Sequence, residues 1–255
     1  MPSYPKWVSK FELKPGVWVF VPSKESVNVG RSIKDVLEGC WFAPGYYYHL
    51  KKGGHVKALK SHTSGKFFIH LDLKRFFYAI NRSRITRSLK EYLGYEKARE
   101  IAIASTVPAP DSQELAYILP FGFVQSPILA SVCLRHSKLG TVLHRLSKAK
   151  GTEVSVYVDD IVISTQSLET AEAALTQVKE AAERSRFPLN TDKEEGPAEK
   201  VTAFNIELSH SSLVLSDQRF DKFLEIYQYS ENYHQIAGIL GYIESVNHQQ
   251  SLNIK

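Results

Sequence analysis

Apolar positions along the chain change spacing several times, between the period of two expected of strands and the 3.6 expected of helices. Residues 1–30 are interrupted by Pro5, Pro15 and Pro22 and by glycine and serine breaks, which predicts an irregular lead-in. Residues 31–43 suit a short helix ending near Pro44-Gly45. The segment YYYHLKKGGHVKALK, 46–60, reads as a hairpin: an aromatic strand, a basic Lys51-Lys52-Gly53-Gly54 turn and a second strand. FFIHLDL, 67–73, is an apolar run of buried-strand length. Helical spacing over 83–106 breaks at Gly94, and Pro108 and Pro110 mark a loop. Ser126-Pro127 predicts the start of a long helix through ILASVCLRHSKLGTVLHRLSKA, because proline suits a first helical turn. VSVYVDDIVIS, 154–164, is the clearest strand–turn–strand pattern, and 168–186 carries the helical stripe Leu168, Ala171, Leu175, Val178 and Ala182. A second hairpin is predicted over 201–215 and helix over 217–246. The order is α+β, with strands free to pair antiparallel.

Composition narrows this only a little. The 255 residues suffice for a substantial core, and 43% apolar with 23% charged residues is ordinary globular usage. A net charge of +5 and a pI of about 9.0 are compatible with nucleic-acid binding without requiring it. Cys40 and Cys133 lie far apart and form no CxxC pair, which speaks against a zinc site or a disulfide framework and for a reducing cytoplasm. No apolar run reaches the roughly 20 residues that span a bilayer, and no signal-peptide pattern opens the chain.

The candidate chemistry lies in the acidic positions. Asp159 and Asp160 sit between two apolar runs, and Asp72 sits in a third, where an unpaired charge is expensive. Turn preference and solvation explain many Asp-Asp pairs. Two such strands side by side, however, would bring three carboxylates together, and these repel unless a cation lies among them. Magnesium suits that place because it prefers hard oxygen ligands and substrate phosphates. Two such ions would serve in-line nucleotidyl transfer.

At this point the residues resemble a known family. Tyr157-Val158-Asp159-Asp160 is similar to the YxDD signature of reverse transcriptases, and Leu71-Asp72-Leu73-Lys74-Arg75-Phe76-Phe77 to their first catalytic motif. Leu119-Pro120-Phe121-Gly122-Phe123-Val124-Gln125-Ser126-Pro127 resembles their LPxGxxxSP motif, Leu189-Asn190-Thr191-Asp192-Lys193 the following Asn…Lys motif, and Val201-Thr202-Ala203-Phe204 a VTG-type hairpin. The motifs stand in family order, with the bacterial retron-like and defence-associated enzymes as the nearest flavour.

The resemblance implies a right-hand polymerase fold: fingers, a palm with an antiparallel sheet and a short helical thumb. It assigns 1–66 to a lead-in and fingers, 67–80 and 116–210 to the palm, 81–115 to a helical insertion and 211–255 to a reduced thumb. Asp72, Asp159, Asp160 and the Leu73 carbonyl would hold two Mg2+, or Mn2+. Phe77 would exclude a 2′ hydroxyl, Gly122 would let backbone approach the nascent base pair, and Phe121 replaces the family's usual glutamine. Lys193 would either protonate or pair with pyrophosphate, or else be a solvated loop lysine. Lys57 and Lys60 would grip a triphosphate. Ser126 and Pro127 would start a template-supporting helix. Arg82, Arg84 and Arg87 would follow a template backbone or form a solvated face. Tyr46, Tyr47 and Tyr48 suit strand packing better than base stacking.

The function implied is RNA-directed DNA synthesis from dNTPs, on an RNA template or with a structured non-coding RNA, within antiphage defence. So small a thumb implies help from RNA, a partner protein or a homo-oligomer, with no membrane involved. Template-independent or protein-templated DNA synthesis is the nearest alternative. An RNA polymerase is disfavoured by Phe77. A non-catalytic nucleic-acid-binding module is disfavoured by the intact aspartates.

Overall fold

The computed structural model describes residues 4–110 and 116–254. In chain order its strands are β1 (Trp7–Lys14), β2 (Val17–Pro22), β3 (Phe67–Asp72), β4 (Val107–Pro108), β5 (Tyr117–Ile118), β6 (Glu153–Tyr157), β7 (Asp160–Thr165), β8 (Glu195–Ala198), β9 (Lys200–Ala203), β10 (Ile206–Ser209) and β11 (Ser212–Leu215). Its helices are α1 (Lys24–Cys40), α2 (Gly54–His62), α3 (Arg82–Leu93), α4 (Tyr95–Ala104), α5 (Ser126–Arg135), α6 (Lys138–Leu146), α7 (Leu168–Arg184), α8 (Asp217–Tyr229), α9 (Tyr233–Val246) and α10 (His248–Leu252). Among the described residues no helix is long and apolar enough to cross a membrane.

The chain divides into two compact units. One holds Tyr46–Asp72, Arg145–Lys179 and Leu189–Lys255. Its centre is an antiparallel sheet in the order β6-β7-β3-β8. The runs FFIHLD and DIVIST are buried almost throughout, as expected of central strands covered on both faces. A second sheet, β11-β10-β9, supplies Val201, Ile206, Leu208 and Leu215 to a core shared with Phe68, Phe223 and Ile243. The β8 strand lies so close to β3 that a Cβ on Gly196 would meet the Phe68 carbonyl oxygen at 2.1 Å, so only glycine fits.

The hairpin predicted for 46–60 does not form. A short 3-10 turn, Tyr48–Leu50, leads into α2. Ala58, Leu59 and His62 form its buried stripe, a spacing that a helix satisfies and an alternating strand does not. His62 is fully buried and pins α2 to the sheet. Its Nδ1 lies 2.9 Å from Ser164 Oγ and its Nε2 2.8 Å from Ser155 Oγ. Burial lowers its pKa to about 3, so the ring is neutral, with one nitrogen donating and one accepting. Tyr46, Tyr47 and Tyr48 are all buried, and the Val156 amide donates to the Tyr46 carbonyl at 2.8 Å, so packing accounts for the aromatic run.

The other unit runs up to Gly45 and adds Leu73–His144 and Glu180–Pro188. The expected irregular lead-in is instead an antiparallel β1–β2 hairpin followed by α1, which starts earlier than predicted and is capped by Ser23 Oγ accepting from the Ser26 amide. The break at Gly94 falls between α3 and α4 as predicted. The single helix expected after Ser126 is two, α5 and α6. Phe20, Val107, Ile118 and Phe123 form a separate core here.

Candidate active site

The β3–β7 register places Asp72 opposite Asp160. On the other edge of β7, Tyr157 pairs with Asp160, leaving Val158-Asp159 as a two-residue turn. Val158 has φ 60 while Asp159 does not enter the left-handed region, the pattern of a type II′ hairpin turn. A β-branched residue there stores strain of about 1–3 kcal/mol. Two contacts hold the turn. The Val158 amide donates to His49 Nδ1 at 3.0 Å, and burial keeps His49 a neutral acceptor by lowering its pKa to about 4. The Tyr157 ring packs edge-on against His49, His55 and Phe204, with centroids 5.4–5.9 Å away.

Each carboxylate has a definite environment. Asp72 is 6% exposed. Lys193 Nζ donates to its Oδ2 at 3.0 Å and Asn190 Nδ2 to its Oδ1 at 3.0 Å, while the Asn190 amide donates to the Asp72 carbonyl at 2.8 Å. Asp160 Oδ1 lies 2.8 Å from His70 Nε2. His70 precedes Asp72 by two positions on β3 and so shares its face. Among the described residues Asp159 forms no ion pair comparable to Asp72–Lys193. Burial, and then the charges of Asp160 and Asp72, push its carboxyl up to about 6, with Lys193 offsetting part of the effect. The Lys193 ammonium is held protonated above its usual range, first by its hydrogen bond to Asp72 and further by the charges of all three aspartates.

The predicted convergence of Asp72, Asp159, Asp160 and Lys193 is therefore present within one unit. Among the described residues no three His, Cys, Asp or Glu side chains form a ready metal cage. Asn190 and His70 were not singled out from the sequence. Asn190 was visible only as part of a motif, and His70 only through its period-two spacing from Asp72.

Lys57 and Lys60 are exposed on α2, on a helix rather than on the expected hairpin. The other predicted residues belong to the second unit. Leu73 is buried and follows Asp72 directly in the chain. Phe76 and Phe77 lie on a 3-10 turn, not on a strand; Phe76 is buried, and the half-buried Phe77 packs on Phe121 with centroids 5.8 Å apart. Gly122 has φ 109, and a Cβ there would meet the Phe20 carbonyl oxygen at 2.4 Å, so β2 already accounts for this glycine. Ser126 Oγ donates to the Pro120 carbonyl at 2.7 Å, and Pro127 lies in the first turn of α5. Of Arg82, Arg84 and Arg87, Arg84 is engaged within the fold: its Nη2 donates to the Ser185 carbonyl at 2.7 Å and its guanidinium covers the Phe187 ring.

A sheet presenting one carboxylate at a strand end and two from the facing hairpin, with a helix-rich remainder, is the arrangement of the right-hand polymerase fold. The family model described as reverse transcriptase (RNA-dependent DNA polymerase) matches residues 24–208, and the chain belongs to that family. Among solved structures, one titled as telomerase from Candida albicans in complex with a TWJ fragment of telomeric RNA shares the fold with a TM-score of 0.56 at 10% identity, over 90% of this chain and 47% of that one. A foamy viral protease-reverse transcriptase in complex with an RNA/DNA hybrid matches with a TM-score of 0.46 at 19% identity, over 72% of this chain and 22% of that one. The chain thus spans about half the length of the telomerase chain it matches.

Proposed function

We propose that the chain is an RNA-directed DNA polymerase, joining deoxynucleotides at the centre formed by Asp72, Asp159 and Asp160. The observation that carries this reading is the Asp72–Asp160 pairing with Asp159 on the adjoining turn. In this reading the palm comprises 67–80 and 116–210, flanked by fingers over 1–66 and a thumb region from 211 onward.

The donor set fits two magnesium ions. Lys193 already meets Asp72 as an internal cation, and burial, then the charge of Asp160, push the Asp159 carboxyl up to about 6. Asp72, Asp159 and Asp160, with the Leu73 carbonyl, would hold the ions; Mn2+ would substitute. Bound there, they would lower the pKa of the attacking 3′ hydroxyl and neutralise the leaving pyrophosphate. Asn190 keeps Asp72 aimed into the site, and His70 does the same for Asp160. Lys193 is half-exposed at its tip, so it can leave Asp72 and meet the pyrophosphate with a proton or a charge. Phe77 would exclude a 2′ hydroxyl sterically. Lys57 and Lys60 would reach the triphosphate, and the helix begun by Ser126 and Pro127 would support the template.

For template, partner and setting the motif resemblance supports a reading in which an RNA template or structured RNA, a partner protein or further copies of the chain, and antiphage defence in a bacterial cytoplasm are involved. One observation favours a second reading, DNA synthesis without a template. Phe121 replaces a polar residue of the family motif and is 42% exposed beside Phe77, which presents an apolar surface in place of a polar contact. Incorporation of each dNTP and NTP, with magnesium, with and without added RNA, decides among these. Uptake of dNTPs that depends on RNA supports the first reading, uptake without any template supports the second, and no uptake under either condition contradicts both.

A further inference from the structure

The α3–α4 pair forms an open concavity of about 360 Å3, within the unit that does not hold the three carboxylates. Arg82, Arg87 and Lys90 line it from α3 and Arg99 lines it from α4, beside the ring of Tyr95, and no carboxylate is among the lining residues. Arg82, Arg87 and Lys90 turn to this concavity, while the Arg84 guanidinium covers the Phe187 ring instead.

The cations differ in their duties. Arg82 is fixed in the wall: its Nε donates to Thr106 Oγ1 at 2.8 Å and its guanidinium lies 3.2 Å over the Tyr117 ring. Arg87, Lys90 and Arg99 are exposed and form no ion pair among the described residues. Nearby, Lys6 Nζ donates to the Thr106 carbonyl at 2.7 Å and also to the Ile103 carbonyl. Burial, and then the charge of Arg82, lower the Lys6 pKa to about 8, as expected where positive charge is uncompensated.

We propose that this cavity is a nucleoside-phosphate site, in which Arg87, Lys90 and Arg99 bind the phosphate oxygens and Tyr95 offers its ring to the base. Guanidinium forks match phosphate geometry, and a half-exposed aromatic beside them suits a stacked base. Its volume falls in the range of small-ligand sites. Cations converging on one concavity from two helices suit a single nucleotide better than a long backbone, which an open stripe would track. The ligand is then either a free nucleotide or the phosphorylated end of a strand. The proposal does not rest on the polymerase reading, because its residues lie outside the carboxylate centre.

The test uses the whole chain in EDTA, so that metal-dependent nucleotide binding elsewhere is suppressed. The probes are a fluorescent dATP analogue, a 5′-phosphorylated hexanucleotide and its 5′-hydroxyl twin, with deoxyadenosine as a phosphate-free competitor. Arg87→Ala/Arg99→Ala weakens binding at least about tenfold, Arg87→Lys/Arg99→Lys weakens it less, and Tyr95→Ala weakens it several-fold. Deoxyadenosine competes poorly. Tighter binding of the analogue assigns the site to free nucleotide, and tighter binding of the phosphorylated strand than of its twin assigns it to a strand end. Both arginines are exposed, so circular dichroism should show the variants folded. Absence of binding to the wild-type chain, or equal binding by the alanine double variant, overturns the proposal.

Discussion

Lys193 Nζ lies 3.0 Å from Oδ2 of the buried Asp72, bonding a half-exposed lysine side chain to the carboxylate at the end of a central strand. In the absence of a divalent ion the lysine is the counter-charge that makes this burial tolerable. A bound ion and Lys193 would compete for the same oxygen.

The first prediction follows from that competition. Lys193→Ala leaves Asp72 buried without its cation and should lower stability in EDTA by about 1–3 kcal/mol. Added Mg2+ should then raise the melting temperature of the variant more than that of the wild type. Thermal melts of both proteins with and without Mg2+ test this, and equal shifts contradict it.

Asp159 gives a pH-dependent prediction. Its folded-state pKa is raised to about 6, above the value expected in the unfolded chain. The folded form therefore holds a proton that the unfolded form has already released, so the group favours folding at low pH and that contribution is lost as pH rises through about 6. Asp159→Asn should accordingly stabilise the metal-free protein by on the order of 1–2 kcal/mol at pH 8 and have little effect at pH 4. Denaturant melts at the two pH values are the measurement.

His70 tests positioning. Its Nε2 bonds Asp160 at 2.8 Å, and groups that orient a metal-binding carboxylate typically contribute 10–100-fold to metal affinity or rate. His70→Phe should raise the Mg2+ concentration needed for half-maximal incorporation by about tenfold or more, while KM for dNTP changes little at saturating Mg2+. His70→Asn should recover part of the loss if its amide reaches Asp160. A change in dNTP KM alone would assign His70 to another role.

Phe77 tests the sugar gate. Replacing it by alanine should improve ribonucleotide use relative to deoxynucleotide by about 10–100-fold, since the proposed discrimination is steric. Competitive incorporation of dNTP and NTP by the variant measures this ratio directly. An unchanged ratio would make Phe77 merely a packing partner of Phe121.

Much of the centre was legible in the sequence, because strands buried on both faces announce themselves as continuous apolar runs and carboxylates within them stand out. VSVYVDDIVIS and FFIHLDL became β6, β7 and β3 as read. The partners of those carboxylates were not legible: the His70–Asp160 bond joins residues 90 apart, and Asn190–Asp72 residues 118 apart. Local pattern also misled at 46–60, where aromatic β-formers and a Gly-Gly pair imitate a hairpin. Docking of His62 between two serines belongs to tertiary structure, and it decides for α2. The strand β8 was hidden in a charged, glycine- and proline-containing stretch because it lies at a sheet edge, where little apolar patterning is required.

The most direct test is deoxynucleotide incorporation by the wild-type chain and by Asp159→Ala on the same RNA template and primer, with RNA affinity measured in parallel. The account predicts that incorporation falls to background in the variant while RNA binds as before. Incorporation at the wild-type rate by Asp159→Ala would show that the paired strands of β3 and β7 do not carry the chemistry.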